Sequence, residues 1–94
     1  MRLDDFENEI SAVIFRRGED YYENGLVEGL EEVAPGRWNA VVEGTIDYET
    51  EVCVENGEIT SWDCDCPYDG YMCKHVVAVL LAVRDETSDF SDYE

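Results

Sequence analysis

Leu3, Phe6, Ile10, Val13 and Ile14 recur at the i, i+3, i+4, i+7 spacing of a helix with one apolar face. Asp4, Asp5, Glu7 and Glu9 come early and Arg16 and Arg17 late, as the helix dipole favours. Gly18 reads as the stop of this helix. Residues 19–24 add a short helical turn ended by Gly25, with Tyr21 and Tyr22 as packing residues at that corner. Beyond Gly25 the period changes from 3.6 to 2. A strand spans 27–33, and Pro35-Gly36 marks a turn. Trp38, Ala40 and Val42 alternate with Asn39, Val41 and Glu43 in a second strand. Tyr48, Thr50, Val52 and Val54 alternate with acidic residues and Cys53 in a third, with one buried and one wet face. Asn56-Gly57 is a strong hairpin signal that returns the chain through 58–62. Residues 74–84 are apolar nearly all round. Their length, Leu80-Leu81, and the spaced Ala78 and Ala82 favour a helix at the centre of the core. The pattern predicts an α+β fold: an N-terminal helix, a small antiparallel β-meander, a short knuckle and a C-terminal buried helix. One domain over 1–84 and an acidic, disordered tail over 85–94 complete the expectation.

The knuckle comes from the segment between meander and last helix, where Cys64, Cys66, Cys73 and His75 stand as C-x-C, six residues, C-x-H. Three thiols and an imidazole complete a tetrahedral zinc set. Cys64 and Cys66, two apart in an extended segment, send their side chains to one side. Pro67 stops further pairing, and Asp69-Gly70 turns the chain back. Cys73 and His75 cannot share a face inside one helix, so Cys73 belongs at the cap and His75 in the first turn. The free amides there favour thiolate character in Cys73. Lys74, the only lysine, offsets the −1 charge of a three-thiolate site.

Other readings of these residues are weaker. A Cys64–Cys66 disulfide is a strained small ring. A Cys73/His75 nucleophile pair lacks an orienting third group. Catalytic zinc keeps an open position, and four strong ligands close it. Cys53 stands apart: a two-residue turn at Asn56-Gly57 pairs it with Thr60, roughly 13 Å along the strand from Cys64. It reads as a small strand side chain.

Charge and length narrow the function classes. The chain has 94 residues, 6 Lys plus Arg and 24 Asp plus Glu, for a net charge of −18. Such a balance disfavours broad contact with a phosphate backbone or an anionic membrane. The longest apolar run, 76–83, is far below the roughly 20 residues of a membrane span. The N-terminus lacks the basic start and apolar stretch of a signal peptide. The expectation is a cytoplasmic address with reduced thiols.

The same cysteines and histidine resemble the SWIM zinc finger, C-x-C, a variable gap, then C-x-H. Residues 17–27, Arg-Gly-Glu-Asp-Tyr-Tyr-Glu-Asn-Gly-Leu-Val, look like that family's lead-in, and Cys73-Lys74-His75 with its apolar helix like its close. The resemblance covers about residues 15–84. It implies zinc on Cys64, Cys66, Cys73 and His75 in a strand-strand-helix arrangement. It also implies a DNA- or protein-binding module and not an enzyme, since family members occur within helicase-like ATPases, transposases, recombination mediators and ubiquitin ligases. The expected partner is a protein. The alternative is DNA, gripped locally by Arg16, Arg17, Arg37 and Lys74. A thiol-based switch that ejects zinc on oxidation is a third expectation.

Overall fold

The computed structural model describes residues 1–66 and 72–87. Pro67, Asp69-Gly70 and the tail beyond Thr87 lie outside the described residues. Helix α1 spans Ala12–Glu23 and helix α2 spans Lys74–Thr87. Strands β1 (Val27–Ala34), β2 (Arg37–Glu43), β3 (Asp47–Glu55) and β4 (Glu58–Cys64) lie between them. The strands form an antiparallel meander in the order β1-β2-β3-β4. The α+β expectation holds.

The layers run sheet, α2, α1. Helix α2 packs on one face of the sheet and α1 packs on α2. Burial from both sides explains why α2 is apolar nearly all round. Val76, Val77, Ala78, Val79, Leu80 and Val83 are fully enclosed. From the sheet, Ala40, Val42, Val52 and Ile59 meet them.

The N-terminal region differs from the expected helix. Phe6–Glu9 is a single 3-10 turn, Ile10 is extended, and α1 begins only at Ala12. Ser11 resets the chain: its Oγ accepts hydrogen bonds from the amides of Val13 (3.2 Å) and Ile14 (3.5 Å), a helix N-cap. Leu3 and Phe6 still enter the core, but from a separate segment tied to the β3–β4 turn, where Leu3 N donates to Gly57 O (2.8 Å). Val13 lies 60% exposed, away from the face assigned to it.

Gly18 also departs from its expected role. Helix α1 runs straight through it and ends at the Asn24 cap, with Gly25 at φ +73°. A left-handed φ is what a stop glycine supplies, and Gly18 has none. Its missing side chain lets α1 close on α2 at Val77 and Lys74.

The Asn56-Gly57 hairpin forms as expected, with φ of +54° and +80° in the primed-turn range. Its register slips once. Val54 faces Ile59, but Cys53 faces Ser61 and not Thr60. Thr60 is the extra residue of a β-bulge, and its hydroxyl donates to Cys53 O (3.2 Å). A regular ladder would set Cys64 opposite Glu49 on the wet face. The bulge sets it opposite Thr50, which is 2% exposed beneath α2. Two successive exposed polar residues, Thr60 and Ser61, between the inward Ile59 and Trp62 are the trace of this slip.

Helix α2 extends to Thr87, three residues past the expected end. Thr87 Oγ1 donates to Val83 O (2.9 Å). Arg84 reaches Glu7 (3.0 Å) and Leu3 O (3.3 Å), fastening the helix to the N-terminal segment.

Candidate metal centre

Cys64 ends β4, and its Sγ accepts a hydrogen bond from Thr50 Oγ1 at 3.5 Å. Asp65 then continues the pairing with β3. Its amide donates to Glu49 O (3.3 Å), and its carboxylate accepts from Glu49 N (3.1 Å). This lock keeps 64–66 extended, so Cys64 and Cys66 leave the chain on one side. Cys73 precedes α2, and its carbonyl accepts the Val77 amide (3.2 Å), the first turn of that helix. His75 follows in that turn, 5% exposed. Cap and first turn are where the spacing put them.

The ligand atoms of Cys64, Cys66, Cys73 and His75 all lie within 4.8 Å of one another. His75 Nδ1 stands 3.7 Å from Cys64 Sγ and 3.8 Å from Cys73 Sγ. Around tetrahedral zinc, with Zn–S near 2.3 Å and Zn–N near 2.0 Å, S···N pairs are about 3.5 Å apart, within a few tenths of an ångström of these. The donor set and its spacing fit zinc, with no carboxylate or water needed to complete the shell. Zinc, once bound, stabilises the thiolate forms as a Lewis acid.

Burial sets the protonation of the metal-free site. It pushes the Cys73 thiol up to about 12, outweighing the Val76 amide that lowers it. The expectation of thiolate character at the helix start therefore fails without metal, because desolvation of the anion exceeds what one amide returns. Burial also pushes Cys64 up, against the Thr50 hydroxyl. His75 is pushed down by burial and by the Lys74 charge, so it is held in the neutral form that ligates metals. The Lys74 ammonium lies 5.6 Å from the Tyr21 ring centroid.

A titration follows from these shifts. Ordinary thiols lie near 8.5, so Cys64 and Cys73 are protonated at pH 7 whether the metal-free chain is folded or open. Zinc must displace a proton from each. At least two protons leave per zinc, and the conditional log K rises by about two or more per pH unit through neutrality. Calorimetry in buffers of different ionisation enthalpy reads the number. Release of clearly fewer than two protons would contradict neutral thiols.

The family model of the SWIM zinc finger matches residues 47–84. Over this span the chain is similar to the SWIM zinc finger. The span comprises β3, β4, the four-residue metal group and α2 up to Arg84. The matched span begins at Asp47, so the lead-in read over 17–27 lies outside it. No curated protein and no solved structure matches the chain. The SWIM segment and its Cys3His cluster make this a zinc-binding module.

Cys53 is not part of it. It lies on the opposite face of the sheet from Cys64, across from Ser61 and Arg37. The residues that sequence reading missed are aromatic. Tyr48 stacks on His75 with centroids 4.3 Å apart and planes at 26°. Tyr21 meets the same ring edge to face at 5.4 Å and 79°. The alternation in β3 marked Tyr48 as inward-facing but could not name what it faces.

Proposed function

We propose that this zinc-binding module is a non-catalytic interaction domain whose partners are proteins. The observation behind the reading is the closed metal group. Four side chains able to ligate zinc, Cys64, Cys66, Cys73 and His75, converge with no fifth donor needed, and two of them, Cys73 and His75, are buried. A shell of this kind offers no position to a substrate and joins β4 to α2. The reducing cytoplasm is the compartment that suits three ligand thiols. Among the described residues no helix is long and apolar enough to cross a membrane.

Charge favours protein over DNA. Arg37 faces Glu51 (3.8 Å), Arg84 faces Glu7 (3.0 Å), and Arg2 lies between Asp4 (3.6 Å) and Glu58 (3.5 Å). Cations already facing carboxylates give little to phosphate. DNA remains the second reading on one observation. Arg16 and Arg17 are exposed together on α1 beside Val13, and neither has an ion pair among the described residues.

Capture from native lysate on the zinc-loaded chain separates the two. The expected result is a protein partner retained after nuclease treatment and lost after chelation. Tight binding of duplex DNA at moderate salt, abolished by Arg16→Ala with Arg17→Ala, would reverse the assignment.

A further inference from the structure

A ligating imidazole is usually oriented by a hydrogen bond from its second nitrogen to a carboxylate, a carbonyl or water. His75 is held differently. Its Nε2 is buried and has no hydrogen-bond partner among the described residues. The ring is instead flanked by Tyr48 from β3, stacked at 4.3 Å, and by Tyr21 from α1, edge to face at 5.4 Å. The two layers on either side of α2 thus each contribute one aromatic wall.

We propose that Tyr48 and Tyr21 are the positioning residues of the metal centre, and that they set His75 to bind zinc through Nδ1 while Nε2 keeps its proton. The proposal rests on the zinc assignment of the site. Nδ1 already faces the sulfurs of Cys64 and Cys73 at 3.7 and 3.8 Å. Turning the ring over about its Cβ–Cγ bond would bring Cδ2, not Nε2, to that place. Coordination through Nε2 would require the whole ring to slide within its plane, out of the Tyr48 stack. The stack resists this slide because aromatic faces attract over their overlap. Neither tyrosine gives an atom to the metal, and the contact uses the ring and not the hydroxyl. Phenylalanine at position 48 should therefore do the same work, and leucine should not.

The chain contains a single histidine, so a long-range proton–nitrogen NMR spectrum of the zinc-loaded full chain reports this imidazole alone. The expected pattern is a metal-bound Nδ1 and a protonated Nε2. Zinc affinity, measured by chelator competition, should fall about 10–100-fold in Tyr48→Leu, the range found for groups that orient metal ligands. It should be unchanged in Tyr48→Phe. One equivalent of zinc bound through Nε2 overturns the proposal alone, as does a folded Tyr48→Leu chain with wild-type affinity. Should Tyr48→Leu fail to fold, the wild-type spectrum decides by itself. A chain that takes up no zinc overturns the metal assignment and the proposal together.

Discussion

Stripping the zinc with a strong chelator should lower the melting temperature by about 16–32 °C. Structural zinc contributes roughly 10–16 kcal/mol in zinc-finger peptides, against roughly 5–15 kcal/mol for the net stability of a domain. Most of that figure must be discounted here. Helix α2 has an apolar core of its own against the sheet and α1, and its far end is fastened by Arg84 to Glu7 and Leu3. Keeping only about 4 kcal/mol, at about 4–8 °C per kcal/mol for a chain of this size, yields the range above. The loss should begin at the start of α2, since Cys73 and His75 are its cap and first turn. Trp62, two residues before Cys64 and half-buried, is the natural probe in near-ultraviolet circular dichroism. A melt unmoved by chelation would remove the structural role of the metal.

Gly18→Ala should destabilise the protein by about 1–2 kcal/mol net, although alanine is the better helix former. In an open helix interior the exchange would gain about 1 kcal/mol. Here a Cβ at position 18 would overlap Val77 Cγ1, stand 2.5 Å from Val77 Cβ and come within 2.9 Å of Lys74 O. Overpacking of this kind costs about 1–3 kcal/mol and occasionally more. The Val77 side chain has no room to yield, because it is fully enclosed. The Lys74 carbonyl is backbone and belongs to the turn that carries His75. The same substitution should therefore weaken zinc binding as well as lower the melting temperature. Pairing it with Val77→Ala should recover part of the loss, a coupling that a double-mutant cycle reads directly. A Gly18→Ala chain more stable than wild type would mean that the helices do not cross at this point.

Gly18 also marks where reading the sequence stops being sufficient. A glycine inside a helical pattern is a stop if its backbone is left-handed and a contact if another helix needs its space. Nothing within the chain's local pattern distinguishes the two. Gly25, seven residues on, took the left-handed conformation at φ +73°. Thr60 poses the same difficulty in a strand. The alternation of β4 is readable, but one extra residue reverses which face Cys64 occupies. Where it is absorbed depends on pairing with β3.

The sequence by itself determined which four residues converge in the candidate metal group, the hairpin turn, the meander and the buried last helix. Each is local: C-x-C and C-x-H spacing, Asn-Gly turn chemistry, and periods of 2 and 3.6 are legible within a few residues. Only the tertiary structure decided the crossing at Gly18, the face on which Cys64 emerges, the tyrosines around His75 and the protonation of the buried thiols. These depend on what lies across a layer boundary. Desolvation, overlap and ring stacking arise between segments far apart in sequence.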